Sequence, residues 1–132
     1  MCAISFPDTM ANTKSVLIAE DSEFISDVLQ DIFRDMGFEI AGVAKCGEEA
    51  VRMFEESRPD LITMDILMPG MDGLTAMEKI REIDRDVPII VISALVQKKL
   101  KVRARELGAV DFLEKPFNIE DLKKMVKKAG LL

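Results

Sequence analysis

The sequence contains no histidine. That absence excludes Ser-His-Asp and Cys-His nucleophilic catalysis and His-ligated zinc. Any phosphohistidine chemistry would have to come from a partner. Cysteine is scarce: Cys2 and Cys46 make no CxxC pair and no disulfide framework, which fits a reducing cytosol. Long apolar runs are missing too. The longest, Val87–Val96, is interrupted by Pro88 and Ser93 and is too short to span a bilayer. The opening MCAISFPDTMANTKS has no basic segment followed by an apolar one, so it does not read as a secretion signal. Neither GxGxxG nor GxxxxGK occurs. The expectation is a cytoplasmic protein with no membrane segment.

What remains is one domain's worth of chain. The 132 residues are 48% hydrophobic and 32% charged, enough to bury one ordinary core. The net charge of −6 is unevenly spread: residues 1–66 hold 5 Lys/Arg against 14 Asp/Glu, and residues 67–132 hold 13 against 10. The acidity argues against general nucleic-acid binding, while the second half carries a local basic excess. Residues 1–13 read as a disordered tail and 14–132 as the folded domain. Met1 and Met10 are both possible starts.

Two hydrophobic periods alternate along the domain. Ser15–Ala19 is a short β-rich run. From Ser22 the period becomes helical, with Phe24, Ile25, Val28, Leu29, Ile32, Phe33 and Met36 on one face and Gly37 as the stop. Phe38–Ala44 alternates as a strand. A helix begins near Glu48 and Glu49, with Ala50, Val51 and Phe54 inward, and Pro59 ends it. Leu61–Met64 is a third strand, and Leu74, Met77 and Ile80 mark a third helix after Gly73. Pro88–Ile92 is a fully apolar fourth strand, as a strand covered on both faces should be. A fourth helix runs to Gly108, and Val110–Leu113 is a fifth strand. Asn118 with Asp121 resembles a capping box before the last apolar stripe, Ile119, Leu122, Met125 and Val126. Five strands alternating with five helices imply an α/β fold: a parallel sheet with helices on both faces.

In such a sheet, function gathers at the carboxyl ends of the strands. Glu20 and Asp21 follow the first strand, Asp65 the third, Ser93 and Ala94 the fourth, and Lys115 and Pro116 the fifth. Asp65 ends a run that reads as buried, where a lone carboxylate is costly unless paired, neutralised or bound to a metal. Two carboxylates 4 Å apart repel by about 4 kcal/mol at an effective dielectric near 20. Three therefore need a counter-charge or a raised pKa. Hard oxygen ligands suit Mg²⁺ (or Mn²⁺), and Lys115 adds a second positive charge. Such a site suits a phosphoryl group, with Asp65 as the nucleophile that forms an aspartyl phosphate.

From Ser15 to about Ala129 the chain resembles the receiver domains of bacterial response regulators. The family's acidic pair falls on Glu20 and Asp21. Its phospho-acceptor falls on Asp65 in DILMPGMDG, its Ser/Thr-Ala on Ser93-Ala94, its Lys-Pro on Lys115-Pro116, and its aromatic switch on Phe112. The resemblance implies a flavodoxin-like sheet in the order 2-1-3-4-5, a cis Lys115–Pro116 bond and a Leu67 backbone carbonyl as a further metal ligand. It also implies a Ser93–Phe112 switch. Glu20 stands where an Asp is often seen, and its extra methylene suits contact through a metal-bound water. Leu67 and Leu95 stand where the family often tunes phosphate lifetime, and neither can orient an attacking water.

The implied role is a two-component phosphorelay protein, not an enzyme in its own right beyond self-catalysed phosphotransfer and autodephosphorylation. Its partners would be a sensor histidine kinase or histidine phosphotransfer protein and a downstream protein target, with no nucleic acid and no membrane. KKLKVRAR (98–105) and LKKMVKK (122–128) contain no acid. The fourth helix, fifth strand and fifth helix would therefore present a basic face, including Lys99, Arg103, Lys124 and Lys128, to an acidic target. An ordinary solvated lysine surface is the rival reading of those runs. Short strands with EDS and KPF tails look most like chemotaxis regulators. A receiver cut from a longer regulator or hybrid kinase is the runner-up. A flavodoxin-like cofactor binder would want an amide-rich first loop rather than Glu-Asp-Ser. A dehalogenase-like phosphatase would want an acid at position 67, and a structural module would not need the acidic cluster.

Overall fold

Strands and helices alternate without exception across residues 13–132, the part described by the computed structural model. In order they are β1 (Ser15–Ala19), α1 (Glu23–Asp35), β2 (Glu39–Ala44), α2 (Gly47–Ser57) and β3 (Leu61–Met64). Then come α3 (Gly73–Ile83), β4 (Ile89–Ser93), α4 (Lys98–Glu106), β5 (Asp111–Glu114) and α5 (Ile119–Lys128). The expected tail over 1–13, apart from Thr13, lies outside the described residues, as does Cys2. Among the described residues no helix is long and apolar enough to cross a membrane.

All strand pairs are parallel, and the order is β2-β1-β3-β4-β5. Successive side chains on a strand point to opposite faces, so each buried strand feeds two cores. Leu17, Ile62, Met64, Ile89 and Val91 pack with Ala50 and Phe54 of α2, Met77 and Ile80 of α3, and Ala104 of α4. Val16, Ile18, Leu61, Ile90 and Ile92 pack with Leu29 and Phe33 of α1 and with Leu122 and Val126 of α5. β1, β3 and β4 are covered on both faces, which is why their sequences read as continuous apolar runs rather than alternating ones.

Local chemistry sets the helix ends. Ser22 caps α1 by accepting from the Ile25 N–H (3.3 Å), and Asp72 caps α3 by accepting from the Thr75 N–H (3.0 Å). Asn118 caps α5 through the Asp121 N–H (2.8 Å). The return contact of a full capping box is replaced by the Asn118 side-chain amide donating to the Asp121 carboxylate (3.1 Å). Several expectations shift, and β2 begins at Glu39 rather than Phe38. β4 and β5 begin and end one residue later than their apolar runs, because ladder pairing continues into Ser93 and Glu114. Phe24, expected on the inner face of α1, is 74% exposed. Phe24 instead rims a groove with Val28, Pro116, Phe117 and Ile119. Ile119, expected in the α5 stripe, is likewise 48% exposed.

One side chain ties the end of α3 to the turn before β5. The half-buried Arg81 guanidinium donates to the backbone carbonyls of Leu107 (2.7 Å), Val87 (2.8 Å), Gly108 (3.2 Å) and Asp84 (3.3 Å). Burial lowers its pKa from the ordinary value, opposed by the nearby Asp84 and Asp86 charges. Arg81→Ala strips partners from all four carbonyls, and the expected cost is about 2–3 kcal/mol in denaturant unfolding. Arg81→Lys, which lacks the planar fork, is expected to recover less than half of that. An Arg81→Ala midpoint equal to the parent's would refute the clasp.

Candidate functional site

The carboxyl edge of the sheet collects the charged residues. Glu20 and Asp21 sit just past β1, Asp65 just past β3 and Lys115 just past β5. Because β1, β3 and β4 are adjacent and parallel, their ends come to one place. Glu20, Asp21 and Asp65 each offer a carboxylate oxygen, and these oxygens all lie within 4.8 Å of one another. Glu20 and Asp65 are buried and Asp21 is exposed. Lys115 reaches across from β5: its Nζ donates to Glu20 Oε1 (2.6 Å) and to Asp65 Oδ2 (2.7 Å). The Lys115–Pro116 peptide bond just after β5 is cis.

The remaining oxygens of Asp65 and Glu20 each accept a backbone N–H. Asp65 Oδ1 accepts from the Leu67 N–H (3.1 Å), and Glu20 Oε2 accepts from the Ser22 N–H (3.0 Å). Burial pushes the Glu20 carboxyl above its ordinary value; its bonds to Lys115 and Ser22 oppose the rise and the Asp65 charge adds to it. Burial works against the Lys115 ammonium, but its hydrogen bonds and ion pairs to Asp65 and Glu20 outweigh that and hold its pKa above the ordinary lysine value. Three carboxylates against one ammonium leave the fully ionised cluster two charges negative, which one divalent cation would balance. The donor set is all oxygen, as a hard cation requires. The residues present therefore fit a divalent ion such as Mg²⁺.

Ser93 is fully buried at the end of β4, and its Oγ accepts from the Leu95 N–H (3.1 Å). Phe112 is half-buried on β5, with the Lys101 ammonium 5.6 Å from its ring centroid. Leu67 is 63% exposed.

The basic residues divide between two sides of α4. Arg103 turns toward α3 and pairs with Glu78 (2.8 Å) and Glu106 (3.4 Å), and Lys99 is exposed on α4. Lys101 and Arg105, one turn apart, line a groove of about 460 Å³ with Phe112, Asp111 and Lys128. Lys124 lines the neighbouring cleft on α5, and Lys128 pairs with Asp111 (3.4 Å). Reading the basic runs as blocks did not single out Lys101 and Arg105 as the residues beside Phe112. The signal was the helical period: the buried Ala104 fixes which face of α4 is inward, and Lys101 and Arg105 flank it.

Comparison with known proteins adds an independent finding. Residues 16–127 match the response regulator receiver domain. The chain is 43% identical over 118 residues to the chemotaxis protein CheY of Thermotoga maritima, an alignment covering 86% of this chain and 98% of that protein. It is 45% identical over 109 residues to the transcriptional regulatory protein PdtaR of Mycobacterium tuberculosis, covering 83% of this chain and 53% of that one. Among solved structures, the CheX–CheY–BeF3–Mg complex from Borrelia burgdorferi contains a chain similar to this one. That match has a TM-score of 0.85 and 36% identity, and it covers 89% of each chain.

Proposed function

This chain belongs to the response regulator receiver domain family, and on that premise we propose that it takes a phosphoryl group from a phosphohistidine partner onto Asp65 and signals through the α4–β5–α5 face. The observation that carries the reading is the Lys115 ammonium shared between Glu20 and Asp65, with Asp21 beside them. An ordinary surface would not concentrate that much like charge around one half-buried lysine.

An Asp65 oxygen attacks phosphorus, the donor's P–N bond breaks, and the imidazole nitrogen takes the electron pair and then a proton from solvent. Lys115, already on Asp65 Oδ2, faces the charge that gathers on the phosphoryl oxygens. Glu20, Asp21, Asp65 and the Leu67 carbonyl would hold Mg²⁺, which neutralises phosphoryl charge when bound. The Ser93 hydroxyl, once drawn from the Leu95 N–H to a phosphoryl oxygen, leaves space behind it, and Phe112 turns inward to fill it. That turn removes the ring from beneath Lys101 and alters the groove on the output face.

The groove supports an acidic target. Lys101, Arg105, Lys124 and Lys128 flank Phe112, whereas Arg103 is engaged with α3. The relatives named for chemotaxis favour that pathway. The test is capture of the target with and without beryllofluoride and Mg²⁺. Ser93→Ala is expected to accept phosphate yet lose the beryllofluoride-dependent gain in binding. Reversal of Lys101, Arg105, Lys124 and Lys128 to Glu is expected to weaken binding more than tenfold at low salt while Asp65 still labels. Reversing Lys99 and Arg103 is expected to do less. Unchanged binding by the four-residue variant moves the output surface elsewhere, and unchanged coupling in Ser93→Ala removes the switch.

A further inference from the structure

We propose that Glu48, at the start of α2, is a positioning residue for the phospho-acceptor loop. It holds residues 66–72 through the backbone of Met71, and so fixes where Leu67 presents its backbone to Asp65 and to a bound cation. The proposal rests on the receiver reading above and adds a residue to it.

The loop from β3 to α3 is anchored at two places. At its ends, the Gly73 N–H donates to the Ile66 carbonyl (2.9 Å), and a Cβ on Gly73 would collide with the Asp65 carbonyl. Near its tip both backbone groups of Met71 are bound by the first turn of α2. The Met71 N–H donates to Glu48 Oε1 (3.2 Å), and the Met71 carbonyl accepts from the Gly47 N–H (2.9 Å). A Cβ on Gly47 would collide with that same carbonyl, so the approach requires glycine there. Gly70 has a left-handed φ of +69°, and a Cβ on it would stand 3.0 Å from Glu48 Oε1, so the turn lies directly against the carboxylate.

Leu67 lies between the two anchors. Its N–H donates to Asp65 Oδ1 (3.1 Å), so the loop is already part of the acceptor's hydrogen-bond shell. Glu48 is exposed and lies 23 residues before Met71 in sequence, and an acid in the first turn of a helix needs no contact outside that helix. Instead its carboxylate reaches the loop; its own backbone N–H and that of Met71 hold its pKa below the ordinary value. Without this carboxylate the Met71 N–H turns to water, and Gly47 alone holds the middle of the loop.

Three proteins test this: the parent, Glu48→Ala, and Glu48→Gln, which keeps a carbonyl acceptor without the charge. Each is titrated with Mg²⁺ by thermal shift, labelled with acetyl phosphate, and followed by amide hydrogen exchange at Leu67 and Met71. In Glu48→Ala the Mg²⁺ affinity and labelling rate are expected to fall about fivefold, the size of one hydrogen bond, with faster exchange at both amides. Glu48→Gln is expected to return both to within about twofold of the parent. Parent-like affinity and rate in Glu48→Ala overturn the proposal. So does a Gln variant as impaired as the Ala variant, which would make charge the cause. A loss matched by an equal fall in Mg²⁺-free melting temperature also overturns it, since general stability then explains the effect. A parent that neither binds Mg²⁺ nor accepts phosphate removes the receiver reading itself, and this proposal with it.

Discussion

Asp65→Asn is expected to reduce hydroxylamine-labile phosphate to background while the protein stays folded. Asn matches Asp in shape, and its carbonyl oxygen can still accept from the Leu67 N–H that Asp65 Oδ1 accepts from here. What disappears is the anionic oxygen proposed to attack phosphorus, and an amide is no substitute nucleophile. Lys115 would keep its bond to Glu20 (2.6 Å), so the half-buried ammonium is not left unpaired and the fold loses little. Removing one of three mutually repelling carboxylates offsets part of the lost Lys115–Asp65 pair. The measurement is transfer from a radiolabelled phosphohistidine donor, with circular dichroism to confirm the fold. Full labelling of the Asn variant would place the acceptor elsewhere. The other acids of the cluster, Glu20 and Asp21, would be the first to test.

The sheet was legible because its central strands are covered on both faces, so that Leu61–Met64 and Ile89–Ile92 read as unbroken apolar runs. The acid cluster was legible for a related reason. A carboxylate at the end of a buried run, repeated on two strands, is too costly to be incidental. Positions fixed by tertiary contact were not legible. Phe24 has the right helical spacing to face inward, but it stays 74% exposed at the rim of a groove rather than in the core. Arg103 sits in a basic run, yet Glu78 on a neighbouring helix draws it to the other side of α4. Glu48 reads as a helix-start acid, and nothing local announces that Met71, 23 residues on, will seek its carboxylate. In each case the local pattern named the element, and the neighbouring element decided the contact.

Mg²⁺ is expected to raise the melting temperature of the parent by on the order of 10 °C at a hundredfold excess over its dissociation constant, and Asp21→Ala to abolish most of that gain. Binding to the folded state alone stabilises it by about 2.7 kcal/mol at that excess. The unfolded chain has no comparable site, because Asp65 joins Glu20 and Asp21 only when β1 and β3 pair. The folded protein also carries a strain the ion relieves. Burial already pushes the Glu20 carboxyl above its ordinary value, the Asp65 charge adds to that, and Lys115 brings one positive charge against three negative ones. Asp21 is the exposed member of the set, so Asp21→Ala removes a ligand without opening the core. Its Mg²⁺-free melting temperature is expected to equal or slightly exceed the parent's, since a repelling charge has gone. This sign separates ligand loss from damage to the fold, which would lower it. Sodium chloride at matched ionic strength is expected to give at most a small shift, because screening acts mainly on exposed charges and Glu20 and Asp65 are buried. A parent whose melting curve is unmoved by millimolar Mg²⁺, or moved equally by sodium chloride, would mean that Lys115 alone balances the cluster and that the acids serve no metal.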